Sequence, residues 1–201
     1  MSDDLQPQAD IARRLETLIQ RLRTTYGSIG GTSGRPYVYF VYPPAQELAV
    51  RRLVDENLRD DDVLHYEHID LLPLTIETLE GQEERRQELL EDPVKSTGAA
   101  QSILRKWARA LEGEIQTRLA DQNWDGRPIV VLHGLAALHP LGDPTSFMET
   151  VAQREARDPT TGKMIPIVLL VPGTREAQAS RTYNFLGLED KRLEFYRGEG
   201  A

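Results

Sequence analysis

The chain has 201 residues, which suits one domain of ordinary size, and its 39% hydrophobic and 28% charged residues exclude a disordered tail. A net charge of −8 argues against broad binding to nucleic acid through a basic face. With no cysteine, disulfide frameworks, thiolate metal sites and cysteine nucleophiles are ruled out.

In chain order, Ile11, Leu15, Leu18, Ile19 and Leu22 fall on one face of a helix, with Arg13, Arg14, Arg21 and Arg23 largely off it. Such a helix either packs on its own domain or forms an arm that docks on a partner. A glycine-rich connection follows at 27–34, so residues 1–34 read as a helical arm and 35–201 as a single α/β domain. Residues 36–41 are apolar without alternation, the mark of a strand covered on both faces. A helix is predicted over 45–58, then an acidic turn at Asp60, Asp61 and Asp62, then a strand or strand-to-loop segment over 63–72. The stretch 75–92 is a charged helix with seven acids against two arginines, interrupted at Pro93, and 96–120 resumes as a helix. Strands follow at 128–132 and 166–171, separated by a helix at 144–156, with the second strand stopped by Pro172-Gly173. An edge strand is expected at 193–197. The order predicts a three-layer α/β domain with a mostly parallel sheet of four to five strands between helices.

Ligands of open α/β sheets collect at the carboxyl ends of the strands. After the first strand a nucleotide site needs a glycine-rich loop with free N–H groups and a lysine. Tyr42-Pro43-Pro44 offers neither, and Glu47 would repel phosphate. His65 and His68 are three apart in a strand, which points them to opposite faces and argues against a shared metal. His133, at a strand's carboxyl end, is the best candidate for acid–base work, with Asp125 or Asp143 to orient it in space. No serine has the setting of a nucleophile elbow, and the aspartates at 60–62 precede a strand as a solvated turn. Arg51 and Arg52, and Arg197 near the C-terminus, could bind anions, although paired surface arginines are the commoner case. The residues thus predict no catalytic group, metal or cofactor. The start MSDDLQPQAD lacks the pattern of a signal peptide and no apolar run approaches the ~20 residues of a membrane helix, so a cytoplasmic location is expected.

Several pieces at strand boundaries resemble the BrxB family of BREX phage-defence systems. Tyr42-Pro43, followed by Glu47-Leu48 and Val50-Arg51, looks like the family's first strand-to-helix unit. His133-Gly134 through His139-Pro140 is similar to its Gly-x-Gly-x-x-x-Pro element, and Val171-Pro172-Gly173 to its Pro-Gly turn. Phe185-Leu186-Gly187 and Phe195-Tyr196-Arg197 resemble its closing pieces. The match spans about residues 10 to 197, with departures at Ala136, Thr174 and 141–143. The resemblance implies a P-loop-NTPase-like fold without the phosphate loop. It also implies a non-catalytic core component of a multi-gene system that methylates host DNA and blocks phage replication. Its expected partners are a PglZ-like subunit of the alkaline phosphatase superfamily, a large ATPase and a methyltransferase complex, with DNA contact only indirect. Two other readings stand beside it: a nucleotide- or metal-dependent enzyme or sensor around His133, Gly134 and Gly173, and direct DNA contact through Arg13, Arg14, Arg21 and Arg23.

Overall fold

The apolar runs form the middle of one sheet because each residue in them is covered on one side or the other. β1 (Tyr37–Tyr42) is buried at all six positions, and β3 (Arg127–His133) and β4 (Ile167–Arg175) are buried through their centres. The computed structural model describes residues 5–29, 37–81, 83–91, 98–120, 125–151, 157, 162–176, 181–195 and 198–200.

With β2 (Leu64–Asp70), β5 (Thr182–Phe185), β6 (Arg192–Glu194) and β7 (Gly198–Gly200), the sheet has seven strands among the described residues. Five of them run parallel in the order β2-β3-β4-β1-β7. β5 pairs antiparallel with the end of β4, and β6 with β5, so the sheet is mixed and larger than expected.

Helices cover both faces. α1 (Leu5–Thr25) and α2 (Glu47–Asn57) pack on the face carrying Val38, Phe40, Val131 and Leu170. α3 (Leu71–Thr78), α5 (Ala99–Ala120) and α6 (Pro144–Val151) pack on the face carrying Tyr39, Val41, Leu132 and Leu169. Strand alternation assigns neighbouring residues to opposite cores. α1 buries Ile11, Leu15, Leu18 and Leu22 against this chain's own sheet, so that face is not presented to a partner. Its arginines help to hold it there: Arg14 donates to the Val41 carbonyl at 2.8 Å, and Arg23 pairs with Asp61.

Four expectations need correction. β2 stops at Asp70, and residues 71–72 open α3 in place of a strand end or loop, because the Asp70 carboxylate accepts the Leu72 N–H and caps the helix. The charged helix 75–92 is divided: α4 (Glu83–Glu91) is separate from α3, with Gly81 at φ 74° between them. β4 is not stopped by Pro172-Gly173. Pro172 still faces Tyr42 of β1, and at Gly173 the strand takes β5 as its partner. A Cβ at Gly173 would lie 2.6 Å from the Asn184 carbonyl, so the close strand crossing explains the glycine. The aspartates of the acidic turn are not merely solvated. Asp61 accepts the N–H groups of Val63 and Leu64, and Asp60 that of Tyr66, so together they start β2.

Candidate functional site

The carboxyl ends of β1, β2 and β3 meet the start of α2 in a continuous chain of polar contacts. Tyr42 ends β1 and is buried; its phenol donates to Glu47 Oε2 at 2.6 Å. Glu47 lies in the first turn of α2, where the helix dipole favours an acid, and its Oε1 accepts from Arg51 Nε one turn on at 3.3 Å. Arg51 Nη2 donates to Asp70 Oδ2 at 2.8 Å, and Asp70 Oδ1 accepts the Leu72 N–H at 2.9 Å. Parallel register places His133 opposite Asp70, its Nδ1 3.5 Å from Oδ2. That separation gives an electrostatic contact but no hydrogen bond, and Nδ1 has no hydrogen-bond partner among the described residues. His68 shares the face, with ring centroids 6.3 Å apart. Its Nε2 sits 2.9 Å from the Leu58 carbonyl, which can only accept, so that nitrogen carries the proton and the buried Nδ1 is left without a partner.

Gly134 follows His133 in the left-handed region at φ 70°, and a Cβ there would collide with the Asp70 carboxylate. Glycine is therefore required twice over, by conformation and by the space the carboxylate fills.

The electrostatics follow from burial and pairing. Burial, then the bond to Glu47, raise the Tyr42 phenol far above its ordinary range. Burial alone would raise Asp70, but the Leu72 N–H, His133 and Arg51 outweigh it and hold the carboxyl below its usual value. Burial acts against the Arg51 charge, and Asp70 and Glu47 more than offset it. His133 is lowered first by burial; Asp70 opposes this and Arg51 adds to it, so the imidazole is neutral at pH 7.

Beside these groups a cavity of about 440 Å³ lies between His68, Asp70 and His133 on the strands, Glu77 on α3, and Glu114 and Arg118 on α5. Arg118 closes the edge of β2 there, donating to the His68 carbonyl at 3.1 Å and to Glu114 at 2.7 Å. No family model, curated protein or solved structure matches the chain.

Sheet topology gives the polar chain its meaning. β1 connects to β2 across two intervening strands, whereas β4 leads on to β7 at the opposite side of β1. The crevice between the ends of β1 and β4 is therefore the switch point where such sheets bind ligands. Tyr42 and Pro172 stand there in register, and Pro43 and Pro44 follow without N–H groups to offer. The chemistry left at the strand ends is proton exchange at His133. Arg51 is already held by two carboxylates, and no group of three or more acid or histidine side chains converges as a metal site among the described residues.

Of the residues singled out by sequence, Tyr42, Glu47, Arg51, His133 and Gly134 are brought together, and Pro43 follows Tyr42 in the turn after β1. Pro140 lies elsewhere, after a cis bond, in the wall of a separate groove beside α3. Pro172 and Gly173 belong to β4, and Tyr196 and Arg197 lie outside the described residues. The carboxylate beside His133 is Asp70, not Asp143 or Asp125; Asp143 instead accepts the Ser146 N–H at 2.8 Å and caps α6. Asp70 had a local signal: an Asp ahead of an apolar run with Pro73 in its first turn marks a helix start. His68 and Arg118 had none, because strand register and the path of α5 place them.

Proposed function

We propose that this chain is a non-catalytic core component of a BREX-type anti-phage defence system. It acts in the cytoplasm as a protein-interaction module that docks on a PglZ-like subunit, on the large ATPase, or on both. The fold is read as P-loop-NTPase-like with the phosphate loop replaced by the Tyr42-Pro43-Pro44 turn. One observation carries the reading: the polar groups at the strand ends, where an enzyme of this architecture keeps its reactive groups, bind one another. Tyr42, Arg51 and the Leu72 N–H donate to Glu47 and Asp70 in an unbroken series. The residues that resemble the family's first strand-to-helix unit are the ones in that series, which suits a structural role. Co-expression of the tagged chain with the PglZ-like and ATPase genes beside its own tests the proposal. A stable complex with either product is expected, and a chain that elutes alone at micromolar concentration refutes it.

A second reading, a nucleotide- or metal-dependent enzyme or sensor, is favoured by one feature. His68 and His133 each leave a buried Nδ1 without a hydrogen-bond partner beside a cavity. A ligand held there stabilises the native state and raises the melting temperature. Thermal shifts with nucleotides and divalent cations at millimolar concentration separate the two: a saturable shift lost in His133→Asn supports the enzyme, and no shift sets it aside. Direct DNA contact through the α1 arginines is disfavoured, since Arg14 and Arg23 are engaged with their own chain and Arg13 with Asp10.

A further inference from the structure

Four large apolar side chains are exposed among the described residues: Leu48, Leu72, Ile76 and Leu188. Leu72 (50% exposed) and Ile76 (59%) stand four residues apart on α3, so they share a face. They border a groove of about 370 Å³ whose other walls include Leu79, Trp107 of α5, Pro140 and Leu141. Trp107 is buried, and its indole N–H meets no acceptor among the described residues. An occupant that brings a carbonyl oxygen would relieve that cost. Adjoining apolar side chains left in water beside a trough mark a binding surface more often than scattered single ones do.

The surroundings select the partner. Residues 71–91 contain six glutamates against Arg85 and Arg86; Glu80, Glu83 and Glu84 follow the groove residue Leu79 in the chain and are exposed, whereas Glu77 faces the other cavity. An apolar groove with an acidic border complements a helix that is apolar on one side and basic on the other. We infer that the α3 groove is the docking face for a basic amphipathic helix of a protein partner. Two apolar side chains of that helix pack on Leu72 and Ile76, and its lysines or arginines face Glu80, Glu83 and Glu84. The inference rests on the interaction-module reading above and adds to it the surface and the partner's chemistry.

The chain's two tryptophans are Trp107 and Trp124, so a Trp124→Phe background leaves a reporter in the groove. A synthetic leucine–lysine peptide patterned as an amphipathic helix is titrated into it, with calorimetry on the native chain as a second measurement. Saturable binding is expected, weakened by salt and at least about tenfold weaker in the Leu72→Asp/Ile76→Asp double variant. Both positions are exposed, and thermal unfolding checks that the variant folds; Ile76→Ala is the milder cut and should weaken binding in the same direction. Equal affinity for a leucine–glutamate peptide, or unchanged binding by the double variant, overturns the inference. A dimer of the native chain that the double variant abolishes also overturns it, since the occupant is then a second copy. If a PglZ-like or ATPase partner still co-purifies with the double variant, the groove inference fails and the interaction reading survives. If the native chain captures neither yet binds the peptide through Leu72 and Ile76, the interaction reading fails and the groove stands.

Discussion

Asp70 joins three elements, so its removal tests the site. Asp70→Ala deletes the cap of α3, worth about 1 kcal/mol. It also deletes the charge-assisted bond to Arg51, which in a dry setting contributes about 1.5 to 3 kcal/mol. The pair is partly wet, Asp70 being 24% and Arg51 36% exposed, and Arg51 keeps Glu47, so about 1 kcal/mol is the fitting share. The sum is about 2 kcal/mol, or a melting temperature lower by about 4–8 °C for a chain of this length. Asp70→Asn keeps an acceptor for the Leu72 N–H and should cost about half as much. The sign of the pH effect follows from the lowered carboxyl: the unfolded chain takes up its proton first, at about pH 3.9, while the folded Asp70 is still charged. Its stabilising contribution is therefore complete above that pH and is lost as pH falls through the folded value, and Asp70→Asn flattens the profile in that window. Urea unfolding at several pH values reads all three quantities. If Asp70→Ala stays within about 0.3 kcal/mol of the native chain, or Asp70→Asn costs as much as Asp70→Ala, the assignment of cap and ion pair is wrong.

Three other outcomes follow from the same geometry. Gly134→Ala forces a left-handed alanine into the space of the Asp70 carboxylate and should cost at least about 2 kcal/mol, less when combined with Asp70→Ala; equal costs in both backgrounds would refute the clash. Tyr66 has its phenol pushed up to about 12, chiefly by burial, and its hydroxyl is buried without a partner, so Tyr66→Phe should be neutral or stabilising by up to about 1 kcal/mol in urea unfolding; a loss of that size would reveal a bond to the hydroxyl. His133 is lowered by burial, so the unfolded chain gains a proton first, below about pH 6.5, and stability falls with pH from there until the folded value is passed. His133→Asn should remove that slope between pH 7 and the folded value, and an unchanged slope would count against the buried neutral ring.

Much of the fold was legible because its middle strands are apolar at every position, a pattern that only a sheet covered on both faces explains. What escaped were pieces whose identity depends on a neighbour. β5, with the sequence Thr182-Tyr183-Asn184-Phe185, is too short to show a period and exists because β4 runs past Pro172 to pair with it. β7 is three residues long and is held in place by β1. At the site, Glu47 and Arg51 stand one helical turn apart, but that spacing alone does not tie them to Tyr42 on β1 or to Asp70 on β2. His133 could be placed at a strand end but not matched to its carboxylate. The match to Asp70 lies in the register of β2 against β3, 63 positions apart in the numbering.

The polar chain and the apolar groove meet at α3. Asp70 receives the Arg51 side chain on one oxygen and the Leu72 N–H on the other, so the series that begins at Tyr42 ends on the first turn of the helix that carries Leu72 and Ile76. Leu71 and Thr75 face the core on the same helix, which leaves Leu72 and Ile76 no way inward without breaking the cap. On the interaction reading, Tyr42, Glu47, Arg51 and Gly134 need not touch a partner to matter. Their task is to set the direction of α3, because a docking helix meets a hot spot only if its anchors are held in one geometry. Asp70→Ala, about half of whose cost comes from the cap, should then weaken binding at the groove by loosening α3. Leu48→Ser, on the exposed side of α2, leaves that direction unchanged and should not affect binding. Equal binding by Asp70→Ala and the native chain would separate the two features and leave the polar chain with a folding role alone.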